Sequence, residues 1–82
     1  MFHAKVFIQL KPSVNDPQGF TIRGGLQQLG FDSVASVRAG KYMEIALEAS
    51  DEEQARAQVG EMCEKLLANP IIEDYTFELE AG

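Results

Sequence analysis

Few side chains in this sequence could do chemistry by themselves. It has one histidine and one cysteine. Cys63 recurs with Ala55, Val59, Met62, Leu66 and Leu67 at helical spacing, so it reads as a buried, inert thiol on an apolar helix face. Neither Cys63 nor any serine has a base placed near it in the pattern, as nucleophilic catalysis requires. His3 sits on a first strand and reads as solvated or partner-facing rather than as a general base. Histidine, cysteine and carboxylate residues show no metal-ligand spacing, so no metal site is expected. Glu52, Glu53 and Glu61 lie along a helix and read as a solvated face. Gly24-Gly25 falls inside a helix, not between strand and helix, so it is no phosphate cradle. Arg38, Gly40 and Lys41 offer an anion site at a hairpin tip, though a polar turn with exposed basic ends explains them more simply. These residues point to a binding or structural module rather than an autonomous enzyme.

Composition narrows the classes. The chain has 82 residues, 45% of them apolar, which suits one small folded domain spanning 1–82. So short a chain has a thin stability margin, which makes self-association an expectation. Seven basic against thirteen acidic residues give a net charge of −6. That balance argues against nucleic acid and against an anionic membrane surface as partners. No apolar run reaches transmembrane length, no signal peptide precedes the first strand, and one cysteine allows no internal disulfide framework. A reducing cytoplasm is the expected setting.

The elements that must position these residues follow in order. Phe2, Ala4, Val6, Ile8 and Leu10 alternate with His3, Lys5, Phe7, Gln9 and Lys11, the period of a half-buried strand that Pro12 ends. Asp16 caps the first helix, with Pro17 at its first position. That helix runs to about Leu29, presents Ile22, Leu26 and Leu29 on one face, and closes at Gly30. Gly24-Gly25 within it implies either close packing or a kink. Ser33 to Arg38 reads as a second strand. Ala39-Gly40 reads as a tight turn with positive φ at Gly40, and Met43, Ile45 and Leu47 line a third strand that completes the hairpin. In the second helix Ser50 is the predicted N-cap, with Glu53 completing a capping box. Asn69 closes that helix in a left-handed turn and Pro70 stops it. Ile71 and Ile72 return the chain to the core as a strand, on which Tyr75, Phe77 and Leu79 share a face.

Strand, helix, strand, strand, helix, strand is the order of an α+β, ferredoxin-like βαββαβ fold. It predicts a four-stranded antiparallel sheet with two helices on one face. The other face is left open, with Phe7, Tyr42 and Val37 or Ala35 as candidates to populate it. An apolar open face on so small a domain marks an interface.

Three stretches carry a family resemblance. Asp16-Pro17-Gln18-Gly19, Val37-Arg38-Ala39-Gly40-Lys41, and above all the run from Cys63 through Leu66-Leu67-Ala68-Asn69-Pro70 to Ile72-Glu73-Asp74-Tyr75 resemble PurS. PurS is the small subunit of bacterial and archaeal phosphoribosylformylglycinamidine synthase. The resemblance spans Lys5 to Phe77 and implies a structural subunit without a catalytic site. It implies as partners the synthetase PurL, the glutaminase PurQ and a second copy, as homodimer or tetramer. It further implies a role in passing ammonia between the two active sites. No cofactor is expected on this chain, while the full complex uses ATP and Mg. On this reading Asp16 and Gln18 cap and aim the first helix or contact a partner. Arg38, Gly40 and Lys41 serve equally as partner contacts or as turn chemistry. Asn69 stops the helix, Glu73 adds a polar interface contact, and Tyr75 belongs either to an interface or to the core.

Two rival classes share the topology. A ligand-sensing module would bind a small metabolite at a dimer interface. A small acyl-phosphate hydrolase would need a phosphate loop after the first strand, where this chain reads Lys11-Pro12-Ser13-Val14-Asn15.

Overall fold

The computed structural model describes all residues, 1–82. Strand β1 (Phe2–Leu10) is followed by helix α1 (Pro17–Gln28), strand β2 (Gly40–Leu47), helix α2 (Glu52–Met62) and strand β3 (Glu73–Ala81). The period-two pattern of β1 buries one of its faces, and the strand lies at the centre of the sheet. It pairs antiparallel with β2 on one side and β3 on the other, in the order β2-β1-β3. Ala4, Val6 and Ile8 are almost fully buried beneath α2, whose Ala55 and Val59 are sealed against them. Leu47, Cys63 and Ala68 complete this core, with Met43, Ile45, Tyr75, Phe77 and Leu79 packed around it.

The sheet has three strands, not the expected four, and the two helices do not share one face. Residues 34–39 join no strand ladder. Gly40 does not turn the chain, since the one glycine with positive φ is Gly30. Gly40 instead opens β2 opposite Gln9, where a Cβ would come within 2.5 Å of the Ile8 carbonyl oxygen. Glycine is needed there for close backbone approach, not for left-handed φ. The polar groups of 38 and 39 bond to the β1–α1 loop, so nothing folds this segment back onto β2.

Helix α1 consequently leaves the body of the molecule. It buries only Gly19 among its twelve residues. The chain measures 51 × 27 × 14 Å with a radius of gyration of 16.2 Å, against about 12 Å for a compact chain of this length. Gly24 and Gly25 neither break the helix nor pack closely, because nothing in the chain would meet a Cβ at either.

Helix α2 begins one residue later than expected. Asp51 is its cap and accepts from the Gln54 N–H at 2.8 Å, while Gln54 Oε1 accepts from the backbone N–H and hydroxyl of Ser50. The logic of a capping box is kept with the positions shifted. The helix then widens into a π-helical turn, Cys63–Leu67, closed by the Ala68 N–H donating to the Cys63 carbonyl. Asn69 is not left-handed. Its side-chain oxygen accepts from the Ile71 N–H, its carbonyl accepts from Ile72 and Glu73, and Glu73 Oε1 accepts from its N–H. Ile71 and Ile72 lie outside any strand and are exposed.

Candidate functional site

The predicted site residues gather at the end of the sheet where β1 leaves and β2 begins. Asp16 is the centre of this node. Pro17 fixes the entry to α1, and the Asp16 Oδ1 then accepts from the Gly19 N–H at 3.0 Å, as an N-cap should. Its Oδ2 accepts from the Ala39 N–H at 2.7 Å. Those two N–H groups, and more weakly the Arg38 guanidinium, hold the carboxyl below its ordinary value of 3.8. Asp16 is only 6% exposed, so both oxygens act inside the chain.

Arg38 points back over the β1–α1 loop. Its Nη2 donates to the carbonyls of Lys11 at 2.9 Å and Val14 at 3.0 Å, with Leu10 at 3.4 Å. One guanidinium thus ties together the carbonyls of an irregular loop, of which that of Lys11 also accepts from the Val14 N–H. Gly19 completes the node, because a Cβ there would collide with the Val37 carbonyl oxygen. The first turn of α1 and residues 37–39 are therefore locked together, and that lock sets the direction in which α1 leaves.

Beside the node is a hollow of about 190 Å³, lined by Asp16, Gln18, Gly40, Lys41 and Glu73 together with Ile8. Lys41 Nζ lies 3.5 Å from Glu73 Oε2 across it. Five of the eight predicted residues thus meet in one place, with Arg38 adjoining. Asn69 connects to it only through Glu73. Tyr75 is half-buried against the core and its hydroxyl donates to Glu64 at 3.0 Å, a bond that raises its pKa. The hollow offers one cation, one side-chain amide and carboxylates already engaged, which suits recognition of a polar partner surface. No three of the His, Cys, Asp and Glu side chains converge as a metal site.

Two surfaces lie outside that set. Along α1 and just beyond it, Phe20, Leu29 and Phe31 are 71%, 75% and 55% exposed and Ile22 is also exposed. A signal for this was present: apart from Arg23, α1 carries no charged residue at all. On the face of the sheet opposite α2, Phe7 and Tyr42 pair across strands with ring centroids 5.2 Å apart. These two aromatics populate the open face as expected, whereas Ala35 and Val37 lie outside the sheet.

This arrangement has close counterparts. A family model described as PurS, phosphoribosylformylglycinamidine (FGAM) synthase, matches residues 3–81. The PurS subunit of Synechocystis is 51% identical over 98% of this chain and 80% of its own length. That of Bacillus subtilis is 49% identical over 98% and 94%. A crystal structure of B. subtilis PurS superposes with a TM-score of 0.89 at 48% identity, covering 99% of this chain and 100% of that one. A chain of the Thermotoga maritima PurLQS structure gives 0.86 at 31% identity, covering 98% and 99%.

Proposed function

The chain belongs to the PurS family of phosphoribosylformylglycinamidine synthase subunits, which serve purine biosynthesis, and from that premise we propose that it is the non-catalytic member of a three-part enzyme. PurQ releases ammonia from glutamine. PurL uses ATP to activate formylglycinamide ribonucleotide and lets ammonia displace the activated oxygen. The whole is a carbon–nitrogen ligase with glutamine as amido donor. This chain bridges PurL and PurQ and helps ammonia pass between them in the cytoplasm. ATP and Mg belong to the complex, and this chain holds no cofactor. The observation that carries the reading is the likeness of the whole chain to a chain of PurLQS. A sealed interface keeps ammonia from water, where it would be protonated and lose its nucleophilic lone pair.

We also propose that the chain works as a homodimer. Helix α1 leaves Phe20, Leu29 and Phe31 in water. Met43 and Ile45, on the β2 side of the helix-bearing sheet face, are only partly buried. A second copy that lays its α1 over that side covers both surfaces at once, and does so reciprocally, as a two-fold interface requires. The open space over Gly24 and Gly25 lets another backbone approach closely.

The test is product formation by PurL and PurQ with and without this chain, using glutamine and then free ammonia. Omission should abolish the glutamine-driven rate and spare the ammonia-driven one. Equal rates with and without the chain would sink the bridging role. Gln18, Arg38, Lys41, Asn69, Glu73 and Tyr75 remain the proposed contact set, with Asp16 and Gly40 shaping the surface on which they stand. Alanine at Lys41, which is exposed, should weaken assembly while leaving the fold intact.

A further inference from the structure

The sheet face opposite α2 has no covering element in this chain. It divides into an apolar hollow and a charged rim. The hollow, about 300 Å³, is lined by Phe7, Gln9, Gly40, Tyr42, Asp74 and Thr76. Gly40 adds no side chain to it, and a Cβ there would meet the Gln9 side chain. The rim is set by strand register. Lys5 in the central strand stands between Glu44 of β2 and Glu78 of β3. Its ammonium group reaches neither of them and lies 3.7 Å from Glu80. Asp74 is matched by Lys11 at 2.7 Å. Glu44 accepts only from the Tyr42 hydroxyl, and Glu78 has no ion pair. Four carboxylates thus meet two ammonium groups. The surplus sits at the two edges, roughly 10 Å apart across two strand spacings.

This pattern selects its occupant. Two copies of the face would set surplus carboxylates against one another, so the face is unsuited to self-pairing. A phosphate backbone or an anionic membrane would meet the same repulsion. The aromatic floor needs an apolar side chain, and the rim needs cations on either side of it. We infer that the outer sheet face docks a basic segment of the synthetase–glutaminase assembly, which seats an apolar side chain in the hollow beside the paired rings of Phe7 and Tyr42 and pairs arginine or lysine with Glu44 and Glu78. This inference rests on the assembly proposed above. It assigns self-association and hetero-assembly to opposite sides of one sheet.

The experiment compares wild type, E44K/E78K, E44Q/E78Q and Y42A. Each full chain is checked by circular dichroism and for its self-association by sedimentation. Binding to PurL with PurQ is then titrated at low and high salt. Charge reversal should weaken hetero-assembly by about tenfold or more without changing self-association, and the neutral pair should weaken it less. Y42A should weaken it at both salt concentrations, while wild-type binding weakens as salt rises. Hetero-assembly of wild-type strength in all folded variants would overturn the inference and leave the bridging role standing. A variant that changes only self-association would assign the face to a second copy and overturn it as well. Failure of wild type to bind at all would remove the bridging role and this inference together.

Discussion

Helices α1 and α2 start alike and end differently. Each is capped by an aspartate whose side chain accepts an N–H three residues on, Gly19 for Asp16 and Gln54 for Asp51. Both are short, and neither has a basic last turn. Yet α2 seals Ala55 and Val59 against the sheet, while α1 buries a glycine and nothing else. The difference lies in what each cap does beyond its own helix. Asp51 serves only α2. Asp16 also binds Ala39, and with Gly19 it presses the first turn of α1 against residues 37–39. Local signals make a helix in both places, and a tertiary bond decides where it goes.

That contrast can be broken most severely in α2. Val59→Asp would set a charge among Ala4, Val6 and Ile8, at a cost of about 4 kcal/mol or more, and should abolish the cooperative urea transition. A folded V59D chain would mean that α2 does not hold the core. The matching change in α1, Phe20→Ser with Leu29→Ser, should leave the fold of one copy unchanged and weaken self-association by about tenfold or more, measured by sedimentation equilibrium. If that pair unfolds the chain instead, α1 packs within its own copy. The smallest effect is at the node. Asp16→Asn should lower the Tm by about 5 °C at neutral pH. The Asp16 pKa is lowered on folding, so its contribution is complete above the ordinary value of 3.8 and fades as pH falls through the lower folded value. The gap in Tm between D16N and wild type should therefore close in acid. A gap independent of pH would mean that the Asp16 charge does not matter.

Much of this was legible along the chain. The alternation of β1, the Asp16 cap, the closure at Gly30 and most of the apolar face of α2 follow from short-range pattern, although Leu66, expected on that face, is 83% exposed in the π-helical turn. The fate of residues 33–38 does not. Their composition suits a hairpin, but the bonds that keep them from one run from Ala39 to Asp16 and from Arg38 to Val14, across 23 and 24 positions. Gly40 does not make the turn expected of it, and the structure needs glycine there for close backbone approach instead. Glycine marks both positive φ and close approach, and sequence cannot tell these apart. The family resemblance singles out Asp16, Gln18, Lys41 and Glu73 one by one, but their gathering around one hollow is not legible, because no spacing rule joins residues that far apart.

The register of β1 has a bearing on how the chain is made. β1 is synthesised well before its neighbour β3, with two helices and β2 made in between: Phe2 pairs with Ala81, and the Gly82 N–H donates to the Met1 carbonyl. At about 5–20 residues per second, the nascent strand spends on the order of 10 s on the ribosome before β3 can flank it. Throughout that interval Val6 and Ile8 lack half of their sheet, and the chain depends on whatever shields hydrophobic nascent segments. The central strand of the sheet thus stays flanked on one side at most until every element between it and β3 has been made.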